Sequence, residues 1–154
     1  MDVTATLDAP CPPAALFGFI EDLGTYPQWL DLVHRAEPEA TDAGAGADDP
    51  RPAWRVDLRA RLGPLARSKR LRMERVEHDP DRGHVRFERS ERDGRRHAPW
   101  VLTASVDAAA NGSTLSMHLH YGGKLWTGGV LERVLNEQIQ QGRARLLAMV
   151  QPTR

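Results

Sequence analysis

The sequence predicts an α+β domain in which an antiparallel sheet packs against one long C-terminal helix. Between Trp54 and Tyr121, apolar residues recur at every second position in several runs separated by turn residues, as in strands that bury one face. After Val130 the apolar period changes to that of an amphipathic helix. A length of 154 residues suits a single domain spanning 1–154, large enough to bury a substantial core.

In chain order, Val3, Ala5 and Leu7 alternate with polar neighbours and predict a first strand. Pro12 and Pro13 suit the first turn of a helix carrying Leu16, Phe17, Ile20 and Leu23, with Gly24 placed to stop it. Tyr26-Pro27-Gln28-Trp29-Leu30 opens a second short helix, and Leu32 to Glu39 is a strand. The small, polar stretch from Thr41 to Pro50 is a surface loop. Trp54, Val56, Leu58, Ala60 and Leu62 then alternate with charged residues, and Gly63-Pro64 turns the chain. Further strands carry Leu71 and Met73, then Val85 and Phe87, then Trp100, Leu102, Ala104 and Val106, and last Leu115, Met117, Leu119 and Tyr121. Asp93-Gly94 and Asn111-Gly112 close two of the turns, so the strands form a meander. Gly128-Gly129 precedes a final helix with a stripe of Val130, Leu131, Val134, Leu135, Ile139, Leu146, Leu147 and Val150, and Pro152 follows it.

Composition narrows the function. Lys+Arg and Asp+Glu both number 21, a balance that argues against nucleic acid, whose binders neutralise phosphates. Lys69 and Lys124 are the only lysines; with abundant alanine this is the bias of a GC-rich genome, so the arginines carry little functional weight. Arg70, Arg72 and Arg75, and Arg95 with Arg96, read as a solvated strand face or loop. Cys11 is the lone cysteine, which excludes an internal disulfide and fits a reducing compartment. No secretory leader and no window of ~20 apolar residues is evident, so the expected location is cytoplasmic, with no membrane span.

The order of strand, two helices, six strands and long helix, read with Leu23-Gly24-Thr25-Tyr26-Pro27-Gln28-Trp29, resembles the START-like (SRPBCC) superfamily. Ala9-Pro10 after the first strand and Gly63-Pro64 support the likeness. The resemblance implies a helix-grip fold: a curved seven-stranded antiparallel sheet wrapped around the C-terminal helix, with an apolar cavity between them. With the composition, it also suggests an actinobacterial source. Carried onto this chain, the cavity wall becomes Trp54, Val56, Leu58, Leu71, Met73, Phe87, Trp100, Leu102, Met117, Leu119 and Tyr121, closed by Val134, Leu135 and Ile139. The alternation alone describes a dry, close-packed core equally well. A phenylalanine in place of Ala104 is expected to enter existing space at modest cost.

Chemistry-bearing residues are few. Arg89 and Glu91 fall in phase with inward Val85 and Phe87, and Arg75 with Leu71 and Met73, which predicts a polar cluster at the cavity mouth able to orient a carbonyl or carboxylate. His118 and His120 share one strand face but alternate with inward residues, so they face outward, and no third metal ligand is evident. No phosphate loop, nucleophile elbow or zinc motif occurs, and neither a metal nor a cofactor is called for. The expected partner is a hydrophobic small molecule such as a lipid, polyketide or isoprenoid, which the protein binds or carries. A polyketide aromatase/cyclase is the first alternative. A protein-interaction module, acting through a patch at Leu125, Trp126 and Val130 in a stress or growth-control pathway, is the second. The oligomeric state is not readable.

Overall fold

The computed structural model describes residues 2–39, 51–62, 65–122 and 130–150. Strand β1 (Asp2–Ala9) is followed by helix α1 (Pro13–Ile20), a 3-10 helix (Leu23–Gln28) and β2 (Val33–Pro38). Then come β3 (Ala53–Leu62), β4 (Leu65–Asp79), β5 (His84–Arg89), β6 (Trp100–Ala109), β7 (Gly112–Tyr121) and helix α2 (Val130–Val150). One curled, seven-stranded sheet has the order β1-β7-β6-β5-β4-β3-β2, and every neighbouring pair is antiparallel. β2 to β7 form a meander, and β1 joins the far edge beside β7.

Alternation sets which face is buried. In β1, Val3, Ala5, Leu7 and Ala9 are buried while the residues between them are exposed, and they lie opposite Leu119, Met117, Leu115 and Ser113 of β7. Two bulges interrupt the pattern, at Val33/Arg35 and at Arg75/Glu77. Such bulges bend a strand and increase its twist. At the β6–β7 turn, Gly112 has φ 141°. A side chain there would meet the Ala9 carbonyl oxygen, so both the backbone and the space demand glycine.

The first helix is shorter than its apolar spacing suggests. α1 ends at Ile20, and Leu23 and Gly24 belong to the 3-10 helix instead. Asp22 explains the break: it is extended, and its Oδ1 accepts the Gly24 N–H at 2.9 Å, the local bonding that draws short polar residues out of helices. The freed carbonyls are taken over at once. Thr25 Oγ1 donates to the Phe19 oxygen at 2.6 Å, the Tyr26 hydroxyl donates to the Ile20 oxygen at 2.9 Å, and Arg75 Nη1 donates to the Glu21 oxygen at 3.1 Å. A cation at a helix C-terminus also suits the helix dipole.

α2 is continuous and, at 1.5 Å per residue, ~30 Å long. Its buried line is Leu135, Ile139, Gly142 and Leu146, spaced four, three and four as an apolar seam requires. Gly142 sits against Trp29 so closely that a Cβ there would meet the Trp29 carbonyl oxygen and lie 3.0 Å from its carbon. Gln140 Nε2 donates to the Thr6 oxygen at 3.2 Å, Arg143 Nε donates to the Asp8 oxygen at 2.9 Å, and Arg145 pairs with Asp31 at 2.9 Å. The first two bonds occupy carbonyls on the free edge of β1, blunting a surface that would otherwise invite another strand. The expected turns at Gly63-Pro64 and Gly128-Gly129, the loop core at 41–50, and Pro152 lie outside the described residues.

Candidate functional site

An apolar cavity of about 60 Å³ lies between the concave face of the sheet and α2. Its wall is built from Val56 and Leu58 of β3, Leu71 and Met73 of β4, Trp100 and Leu102 of β6, Met117 and Leu119 of β7, and Leu135 of α2. Leu23 and Tyr26 of the 3-10 helix, Leu30 and Leu32 after it, and Val33 of β2 complete it. None of these side chains carries a charge at neutral pH. The register brings them together: Val56 faces Leu71, and Leu102 faces Leu119, so each pair presents its side chains to the same side.

The residues expected on the wall divide into two groups. Val56, Leu58, Leu71, Met73, Trp100, Leu102, Met117, Leu119 and Leu135 line the cavity. Trp54, Phe87, Tyr121 and Ile139 are buried and Val134 is partly buried, but they do not line it. Trp54 and Phe87 meet edge to face at 5.6 Å and 78°, an arrangement the ring quadrupoles favour, and Tyr121 lies against Trp100 at 5.3 Å. Packing rings on one another closes that part of the interior. Tyr26, absent from the expected wall, faces the cavity and ties the 3-10 helix to the end of α1 through its hydroxyl. Its motif position and aromatic bulk were the available signal. Burial pushes its phenol far above the ordinary range, with the Asp22 charge adding to the effect. Both effects disfavour the ionised phenolate.

The charged residues expected at the mouth are rearranged. Arg89 faces Met73 across the β4–β5 ladder. Its Nε donates to Glu91 Oε1 at 3.1 Å and its Nη1 to the Ala98 oxygen at 3.4 Å. The same Glu91 oxygen accepts the backbone N–H of Arg72 at 3.0 Å, extending the ladder past the end of β5. Arg75 does not join them: beside the bulge it reaches back to the end of α1. Lys69, which sequence reasoning passed over, does lie near this group, facing Leu58. Burial and the Arg89 charge lower the Lys69 pKa, and Glu91 partly offsets them.

On the outer face, Arg70 is solvated as expected, paired with Asp57 at 3.3 Å. Arg72 corrects the expectation of a solvated arginine. Its side chain is only 7% exposed, bonded to Glu39 at 2.6 Å, Glu74 at 3.2 Å and the Ser90 oxygen at 2.8 Å. Removing one member of a buried ionic group costs ~3–5 kcal/mol, and the partial exposure of both carboxylates reduces this. Arg72→Met is therefore expected to lower the urea unfolding free energy by ~2 kcal/mol, and Arg70→Met by under ~0.5 kcal/mol. Equal losses would contradict the assignment.

His118 and His120 point outward, as their phase requires, and both lie within reach of Asp2 Oδ1, at 2.9 and 3.1 Å. The contact with His120 is the main reason the Asp2 carboxyl is held below the usual carboxylate range. Cys11 is buried, with its Sγ 3.9 Å from Ser113 Oγ. Leu125 and Trp126, the centre of the anticipated interaction patch, lie outside the described residues. No helix among the described residues is long and apolar enough to cross a membrane.

A curled sheet gripping a terminal helix over an apolar space defines a helix-grip, START-like fold. The family model for polyketide cyclase / dehydrase and lipid transport matches residues 1–151, and the chain belongs to that family. Among solved structures, a START superfamily protein from Mycobacterium smegmatis is similar with a TM-score of 0.66 and 15% identity, over 97% of this chain and 96% of that one. A protein from Thermus thermophilus is similar with a TM-score of 0.61 and 22% identity, over 97% and 93% of the two chains. The di-domain ARO/CYC protein of the steffimycin biosynthetic pathway aligns with 97% of this chain and 45% of its own, with a TM-score of 0.60 and 13% identity. At these identities the likeness concerns the fold. No curated protein matches the chain in sequence.

Proposed function

We propose that this protein binds or carries a hydrophobic small molecule, of the lipid, polyketide or isoprenoid kind, in the space between the sheet and α2. The observation that carries the reading is a cavity whose uncharged wall is assembled, among the described residues, from five strands, the 3-10 helix and α2. Affinity would come from apolar ligand surface leaving water, at ~25 cal/mol per Å². Membership of a family described by both cyclisation and lipid transport supports ligand binding of this kind.

The cavity of about 60 Å³ is far smaller than the ~300–1,000 Å³ of ligand pockets in general. A ligand must therefore enlarge it. Met73 and Met117 face the cavity, and their unbranched, rotatable side chains adapt most readily to a new occupant. An aromatase/cyclase would need an acid or base on the wall to move protons. Among the described residues the wall offers only the Tyr26 hydroxyl, which is committed to Ile20, so binding without turnover is the better reading. The test is titration with an apolar fluorescent probe, followed by competition with a fatty acid or an isoprenoid. Saturable binding at one site with full displacement is expected. Signal rising linearly with probe, without saturation or displacement, would contradict the proposal.

A further inference from the structure

Charge is unevenly distributed around the cavity, and the ladder register shows where. Lys69 stands opposite Leu58 and two residues from Leu71, both of which line the cavity. With a strand period of two, Lys69 therefore projects from the concave face. Arg89 stands opposite Met73. It follows Glu88, the partner of Val101, so the β6 residue on its other flank is Trp100. Both cations thus border cavity-lining residues, whereas Arg70, on the opposite phase of β4, pairs with Asp57 on the outer face.

The two cations differ in how they are held. The Arg89 side chain is 9% exposed and fixed by Glu91 and the Ala98 carbonyl. Lys69 has no hydrogen bond or ion pair among the described residues, yet it is partly buried and feels the charges of both Arg89 and Glu91. Among the described residues, these two cations and the one carboxylate between them, Glu91, leave a single positive charge in excess. That charge lies beside an uncharged wall, where a counter-charge is screened less than in open water.

We propose that Lys69 and Arg89 receive the carboxylate of an amphiphilic ligand whose apolar body enters the cavity along Leu58, Met73 and Trp100. The inference rests on the cavity being a ligand site, and it narrows the ligand to an apolar acid. Arg89, prepositioned by Glu91 and Ala98, supplies a fixed donor direction, and Lys69 supplies a mobile ammonium free to close on the head group. One excess charge matches a carboxylate better than a phosphate monoester, which carries ~1.5–2 negative charges at neutral pH.

Calorimetric titration with decanoate, its uncharged methyl ester and decyl phosphate separates the possibilities. The wild type is expected to bind decanoate at least about tenfold more tightly than the ester, the ratio expected of one charge-assisted contact. Lys69→Met, which keeps the length of the side chain and breaks no bond, should remove most of that preference and leave ester affinity unchanged. Arg70→Met, on the outer face, should preserve the preference. Equal affinity for acid and ester in the wild type, or a preference that survives Lys69→Met, overturns the inference while leaving the cavity a ligand site. Tighter binding of decyl phosphate than of decanoate overturns the assignment to carboxylates. Binding of none of the three overturns the cavity reading itself, and this inference with it.

Discussion

Gly142→Ala is expected to lower the stability of the protein by ~2 kcal/mol, although the same change in an isolated helix would raise it. Alanine is worth ~1 kcal/mol more than glycine in a helix interior. Here the added methyl group would meet the Trp29 carbonyl oxygen, with the Trp29 ring 3.3 Å away at Cε3. The obstacle is backbone, which cannot rotate aside as a flexible side chain does, so overpacking at ~1–3 kcal/mol outweighs the gain in propensity. At ~2–4 °C per kcal/mol for a domain of this size, melting should fall by ~4–8 °C. Gln141→Ala, at the exposed neighbouring position, should leave melting within about one degree, as surface changes usually do. A Gly142→Ala protein as stable as the wild type would mean that α2 is not seated on Trp29, and the cavity beneath α2 would lose its roof.

A pair of substitutions on β6 separates cavity from packed core. Leu102 lines the cavity and is partly exposed, so a tryptophan there can turn into the existing space. Leu102→Trp should abolish saturable probe binding at a stability cost under ~1.5 kcal/mol, within the range of tolerated apolar exchanges. Ala104 is fully buried, lies between Val85 and Met117 in the ladders and does not line the cavity. Ala104→Phe should therefore cost ~2–3 kcal/mol, the reverse of what a common inward phase suggests. Equilibrium unfolding of both variants, with probe titration, checks the pair. A tolerated Ala104→Phe and a badly destabilised Leu102→Trp would move the open space to the other end of β6.

The fold was more legible than the site, and the difference has a physical source. Alternation along Trp54 to Leu58 and Leu115 to Tyr121 identifies strands and their buried face, because the pleat places every second side chain on one side. It does not say which buried side chains touch each other and which border empty space. Trp54 and Phe87 share the inward phase with Met73 and Trp100, yet an edge-to-face contact fills the interior between the first two. That outcome depends on sheet curvature and ring orientation, which no periodicity encodes. The mouth was half legible: the phase of β5 points to Arg89, while the bulge at Arg75/Glu77 diverts Arg75 to α1. Lys69 was in phase with Leu71 and Met73 all along, but a charged residue at the end of an apolar run reads as solvated. Gly142 was overlooked for a related reason, since a residue without a side chain leaves a gap in an apolar stripe. The gap is where the helix comes closest to Trp29.

The central claim, that the interior accepts an apolar molecule, is tested most directly by native mass spectrometry of the freshly purified protein, before and after incubation with a lipid extract. The account predicts a second species at one-to-one stoichiometry, heavier by the mass of a small organic molecule, that collapses to the bare chain on mild activation. It also predicts that Leu102→Trp shows no such species. A spectrum holding only the unliganded mass before and after incubation, for wild type and variant alike, would contradict it.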